Sequence, residues 1–182
     1  IMCGIYFFTK NSHIDSNIVK KNLIHRGPDY QGQINLTHSV IGHNLLTIRE
    51  KIDFSKQPVV TKNDKFIIAF NGEIYNTKFL KSKFNLNLLS DSDTELLSEL
   101  INLLGLKFIE HIKGMYAILL YEKETQKVHA YRDRSGQKNL YYLENNNFFI
   151  ISSEIHTLFE SKLFKKEVDY NSIYEACFIG YN

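Results

Sequence analysis

A thiol sits at the start of this chain, in the segment Met2-Cys3-Gly4-Ile5. With the residues ahead of it removed, Cys3 carries its own α-amine, of reference pKa about 7.7 to 8.0. That amine lies beside the thiol it would deprotonate. A lone cysteine is more often a small core residue, so the position matters more than the residue type. Three further segments hold polar groups of catalytic type: His25-Arg26-Gly27-Pro28-Asp29, Asn71-Gly72-Glu73-Ile74-Tyr75-Asn76 and Ser92-Asp93-Thr94-Glu95. Each has a structural reading: a loop bent by Pro28, a turn at Asn71-Gly72, and a helix start with Ser92 as N-cap and Glu95 closing a capping box.

The elements that must position these groups follow from apolar spacing. Cys3 to Thr9 reads as a strand, Ser16 to Leu23 as a helix and Ser39 to Ile48 as a strand. A polar loop then leads to Gln57-Pro58 and an apolar strand from Lys65 to Phe70, which Asn71-Gly72 is expected to break. Leu96, Leu97, Leu100, Ile101 and Leu104 recur at helical spacing behind Ser92. Four β-rich runs, Gly114 to Tyr121, Lys127 to Arg132, Asn139 to Leu143 and Phe148 to Ser152, are expected to pair as one antiparallel meander, followed by a helix over Glu154 to Glu160. The sum is an α+β fold of antiparallel sheets covered by helices.

Composition narrows the function. A chain of 182 residues, 43% hydrophobic and 23% charged, makes a single domain with a real core. The net charge is +2, and the basic clusters Lys20-Lys21 and Lys165-Lys166 are short, so neither nucleic acid nor a membrane is expected as partner. No apolar run reaches the roughly 18 residues of a bilayer span, and no signal peptide is visible; cytoplasm is the default location. Cys3 and Cys177 are expected to be separate thiols. The seven histidines lack ligand spacing, so no metal is expected.

In their order, the four segments resemble the class II, N-terminal-nucleophile glutamine amidotransferases. The resemblance continues through Arg132-Asp133-Arg134-Ser135-Gly136, Leu140-Tyr141-Tyr142 and Ser152-Ser153-Glu154-Ile155, covers nearly the whole chain and is to the asparagine synthetase branch. It implies a four-layer α-β-β-α sandwich with two antiparallel sheets. It further implies that Cys3 attacks glutamine, that the Asn71 amide and Gly72 N–H receive the oxyanion, and that Asp93 holds the substrate α-ammonium with Glu73 as a second polar contact. Arg26 matches a family position, in a loop read as support for the pocket. Residues 1–165 would form the glutaminase domain, and 166–182 a linker or the start of a synthetase domain, acting in cis or in trans. ATP and magnesium would belong to that second domain, and no cofactor is expected in this one.

Three departures qualify the resemblance. The family segment His-x-Arg-Leu-Ser-Ile, whose Arg grips the substrate α-carboxylate, reads His43-Asn44-Leu45-Leu46-Thr47-Ile48 here. Leucine cannot pair with a carboxylate, and Arg49 is the expected partial replacement, although four strand residues span about 13 Å. Ile1-Met2 precede Cys3, so activity is expected to depend on their removal. No Ser-Gly-Gly-x-Asp-Ser phosphate loop is present, and a fragment or isolated domain is expected. The alternatives are a catalytically impaired docking module and an amidotransferase for a carboxylate other than aspartate. Oligomeric state stays open, with a homodimer among the choices.

Overall fold

The run Ile5-Tyr6-Phe7-Phe8 is apolar on both alternating faces, as a strand covered on both sides must be. It forms β1 (Gly4–Thr9), the central strand of a five-stranded sheet. The computed structural model describes residues 3–47, 55–161, 163 and 167–179. The first sheet is completed by β2 (Tyr30–Asn35), β3 (Ser39–Leu45), β8 (Tyr141–Glu144) and β9 (Phe149–Ser152), in the order β2-β3-β1-β9-β8. The second contains β4 (Val59–Val60), β5 (Phe66–Ile74), β6 (Gly114–Glu122) and β7 (Lys127–Arg132), in that order. Every pairing is antiparallel.

Three apolar clusters separate four layers. Ile5, Phe7 and Ile41 of the first sheet meet Ile67, Ala69, Ala117 and Leu119 of the second, which makes the inter-sheet core. On the other face of β1, Tyr6 and Phe8 pack with Val19 and Leu23 from α1 (Ser16–Asn22) and its C-cap, and with Leu158 of α4 (His156–Phe159). Beyond the second sheet, Phe66, Ile68 and Phe70 pack against Leu80 of α2 (Thr77–Lys83) and against Leu96, Leu97, Leu100 and Ile101 of α3 (Asp93–Leu104). The resulting order, helix, sheet, sheet, helix, is the expected sandwich. A last helix, α5 (Tyr170–Ile179), lies in the stretch read as a linker or the start of a synthetase domain and exposes Tyr170, Ile173, Tyr174 and Phe178.

Several local expectations are corrected. Asn71-Gly72 does not break the fifth strand, which runs on to Ile74 with Asn71 opposite Ala117 and Gly72 opposite Tyr116. Extended pairing with a strand forty residues later overrides the local turn preference. The four late strands are not one meander. β6 and β7 form a hairpin in the second sheet, whereas β8 and β9 form one in the first, with β9 against β1. Hairpin signals are local and do not say which sheet a hairpin joins. Ser92 does cap α3, accepting from Thr94 N–H at 3.2 Å, but Glu95 does not close a box. Its carboxylate accepts instead from the N–H groups of Leu89 and Ser90 at 2.7 and 2.8 Å. The third strand stops at Leu45, and Ile48 lies outside the described residues.

Within α3, Leu100 is fully buried while Leu103 is 57% exposed. Leu100→Ala should therefore cost about 3 kcal/mol of stability, the transfer of the lost atoms plus the cavity they leave. Leu103→Ala should stay within about 0.5 kcal/mol. Urea unfolding followed by circular dichroism checks both; equal midpoint shifts would contradict the packing described.

Candidate active site

The site begins where β5 outruns β4. Only Ile67 and Ile68 of β5 pair with β4, while β5 continues along β6 as far as Ile74. Tyr116 of β6 donates its N–H to the Asp133 carboxylate at 3.3 Å and accepts from Asp133 N–H at 2.9 Å. Its partner Gly72 therefore sits in a non-hydrogen-bonded pair, and alternate residues Phe70, Gly72 and Ile74 turn their peptide groups to the edge that β4 leaves open. Buried backbone groups need partners. Phe70 N–H donates to Gln57 Oε1 at 2.6 Å, and Phe70 C=O accepts from Gln57 Nε2 at 3.2 Å and His43 Nε2 at 3.1 Å. Ile74 N–H donates to Asp93 Oδ2 at 3.1 Å. Between these satisfied neighbours, Gly72 N–H has no acceptor among the described residues.

Gly72 is required by its own sheet: an added Cβ would lie 2.2 Å from the Met115 carbonyl oxygen of β6. Strand packing alone therefore demands a residue without a side chain at this position. Asn71 alternates with Ile67 and Ala69 toward the gap between the sheets, and its Nδ2 is buried without a partner. Two donors, Asn71 Nδ2 and Gly72 N–H, thus stand unused on consecutive residues.

Cys3 occupies the same end of that gap. It precedes β1 by one residue and continues the face of Ile5 and Phe7. Ile5 pairs with His43, the residue that reaches Phe70 across the gap. Cys3 Sγ accepts from Leu46 N–H at 3.3 Å and donates to Leu46 C=O at 3.7 Å. Burial pushes the thiol pKa up, while Leu46 N–H, Arg26 and Lys138 pull it down.

The His25–Asp29 segment packs on β3 and on the residue before β1, and Arg26 lies closer to the Cys3 thiol than its reading as a loop residue implies. Its Nε donates to Cys3 C=O at 3.0 Å and its Nη1 pairs with Glu154 at 2.6 Å, while Nη2 is buried without a partner. Asp29 secures the end of β3, accepting from Thr47 N–H at 2.7 Å. A Cβ on Gly27 would lie 2.2 Å from Asn44 C=O, so the loop presses directly on β3. Ser153 Oγ accepts from Ile5 N–H at 3.1 Å, tying the end of β9 to β1.

Lys138, which the sequence reading did not single out, is buried on the loop between β7 and β8. Asp133 accepts from its N–H at 3.0 Å and Arg132 Nε donates to its C=O at 2.8 Å. Its ammonium interacts electrostatically with Arg26, Cys3, Asp133 and Glu73; burial and Arg26 depress its pKa, while Cys3, Asp133 and Glu73 oppose that. The Arg132–Gly136 motif was visible in the sequence, but nothing local signals that the lysine after it is buried. Glu73 faces the inter-sheet side like Asn71, and Asp93 opens α3 beside Ile74. Leu45 is buried at the end of β3 and offers no charge. Arg49 lies outside the described residues. Among the described residues no cluster suited to a metal occurs, and no helix is long and apolar enough to cross a membrane.

This fold and site define an N-terminal-nucleophile glutamine amidotransferase domain, and comparison with known proteins agrees. The family model described as "Glutamine amidotransferase domain" matches residues 2–182, and the chain belongs to that family, on its asparagine-synthetase-like branch. It is 32% identical to the putative asparagine synthetase [glutamine-hydrolyzing] 2 of Methanocaldococcus jannaschii, over 93% of this chain and 37% of that protein. It is 30% identical to amidase chry2 of Gibberella zeae, over 85% of this chain and 26% of that protein. The chain thus spans well under half the length of these relatives. Among solved structures, the glutamine phosphoribosylpyrophosphate amidotransferase of B. subtilis shares the fold, with a TM-score of 0.69 at 18% identity over 88% of this chain and 44% of that one.

Two outcomes follow from the electrostatics. Lys138→Met should raise the Cys3 pKa further and slow alkylation by iodoacetamide at pH 7; a pH profile of alkylation identical to the parent would remove Lys138 from the site. His43 is fully buried and its pKa is lowered to about 4 from 6.5 by burial. Its neutral form is favoured by folding, so the associated stability is complete above pH 6.5 and is lost as pH falls toward 4. In urea unfolding, the parent should lose about 3 kcal/mol more than His43→Gln between pH 7 and pH 4. Parallel acid profiles would contradict this.

Proposed function

We propose that this domain hydrolyses glutamine to glutamate and ammonia through a thioester on Cys3. The observation that carries the reading is the pair of unused donors, Asn71 Nδ2 and Gly72 N–H, on the face opposite a thiol. Cys3 acts as the first residue of the mature chain, its α-amine taking the thiol proton. The thiolate adds to the side-chain amide carbon of glutamine, and the resulting oxyanion is received by the two donors. Collapse breaks the C–N bond; the amine passes its proton to the leaving nitrogen, and ammonia departs. Water then cleaves the thioester, which restores the thiol and frees glutamate.

The remaining polar groups fit the amino-acid end of the substrate. Asp93 and Glu73 meet the α-ammonium, and Arg49 is assigned to the α-carboxylate in place of the side chain that Leu45 lacks. The ammonia goes to an ATP-dependent synthetase domain, in cis or in trans, with aspartate as acceptor by analogy with the name of the Methanocaldococcus relative. The amidase relative favours keeping a second reading, in which another acceptor is amidated by the same glutaminase half.

Incubation with glutamine, with an N-terminal Cys3 confirmed by intact mass, should release glutamate. Cys3→Ala should abolish it, and Asn71→Ala should lower kcat by about 10²- to 10³-fold, as loss of one oxyanion donor does. A folded chain with N-terminal Cys3 that neither turns over glutamine nor is labelled by a glutamine-like electrophile would support the docking-module alternative.

A further inference from the structure

We infer that Gln57 and His43 are positioning residues for the oxyanion donors, an inference that rests on the glutaminase reading above. Gln57 is buried, and its carboxamide does at Phe70 what a strand backbone would do, accepting from the N–H at 2.6 Å and donating to the C=O at 3.2 Å. Its Nε2 also donates to Thr94 Oγ1 at 3.1 Å, which anchors the amide to α3. His43 approaches the same carbonyl from the other sheet at 3.1 Å. A carbonyl only accepts, so Nε2 carries a proton; burial favours the neutral ring, which leaves Nδ1 unprotonated, buried and without a partner.

This arrangement differs in one respect from simple edge protection. A continuation of β4 would satisfy Phe70 and then pair with Gly72, consuming the donor. A side chain ends where its amide ends. Gln57 satisfies Phe70 and goes no further, so the next edge N–H, that of Gly72, stays open while its plane is fixed by Phe70 on one side and by the Ile74–Asp93 bond on the other. Fixing Phe70 also fixes the backbone of Asn71, from which the second donor projects. Neither Gln57 nor His43 needs to touch glutamine for this role. Loosening Phe70 should leave substrate binding and thiol reactivity in place and weaken only what forms in the transition state.

The test uses Gln57→Met, which keeps length and volume without hydrogen bonds. Gln57→Glu serves as a second variant whose carboxylate still accepts from Phe70 N–H but sets an acceptor against the Phe70 carbonyl where the amide donated. Three quantities are read on the full chain: kcat and KM for glutamine, the rate of Cys3 alkylation by iodoacetamide, which forms no oxyanion, and hydrogen exchange at the Phe70 amide. The expected result for Gln57→Met is a kcat about 100-fold lower with KM within threefold, alkylation within twofold, and Phe70 exchange at least tenfold faster. Gln57→Glu should lower kcat as well. A kcat within threefold of the parent in both variants overturns the inference, as does a parallel loss of turnover and alkylation, which would mark general collapse. A parent chain that alkylates normally yet releases no glutamate overturns the glutaminase reading and the catalytic half of this inference with it, while slow Phe70 exchange in that parent would still uphold the clamp.

Discussion

One strand edge has to stay partly unpaired inside a packed sandwich, and much of this structure manages that constraint. Buried N–H groups without partners are costly, which is why sheets normally end at loops or solvent. Here β5 extends beyond its edge neighbour β4, and the exposed peptide groups are covered one at a time by side chains: Gln57 and His43 at Phe70, Asp93 at Ile74. Gly72 is the gap in that cover. The covering residues come from three places, the loop before β4, strand β3 of the opposite sheet and the start of α3, so both sheets and a helix must be in register for the gap to exist.

The four layers supply that register. The inter-sheet cluster around Ile5, Phe7, Ala69 and Ala117 sets β1 over β5, and the alternation of those strands turns Cys3 and Asn71 toward the same end of the gap. The start of β1 is pinned by Ser153, which follows β9 and bonds Ile5 through both backbone and hydroxyl, and by Arg26, which joins the Cys3 carbonyl to Glu154. The thiol is consequently held by backbone contacts with Leu46 rather than by a charged partner. Its acidity reflects a contest between burial and the more distant positive charges of Arg26 and Lys138.

Much of this was legible in the sequence, and the parts that were not share a cause. Cys3, the strand behind it, the Ser92 cap and the apolar face of α3 are local patterns, and the structure keeps them. The ordered motifs also indicate the sandwich. Asn71-Gly72 reads as a turn because its deciding partners, Ala117 and Tyr116, are remote in sequence. The late hairpins read as one meander because the loop from Asp133 to Leu140 crosses between sheets through contacts that leave no local trace. Gln57 reads as the start of a Gln-Pro loop, and only tertiary structure reveals its amide as a substitute strand. Lys138 and Arg26 follow the same rule: a cation's burial depends on what folds over it. The assignment of Arg49 to the substrate carboxylate belongs to the sequence alone.

In the proposed reaction an oxyanion forms at the open edge of β5, between the Cys3 thiol and the Asn71-Gly72 donors. A crystal structure of the chain with Cys3 covalently bound to a glutamine-derived aldehyde would test it directly, because the hemithioacetal oxygen occupies the oxyanion position. That oxygen should lie about 3 Å from both Gly72 N and Asn71 Nδ2, with Gln57 still paired to Phe70. An adduct whose oxygen faces solvent or the Leu46 N–H, with Gly72 N–H still unbonded, would contradict the account.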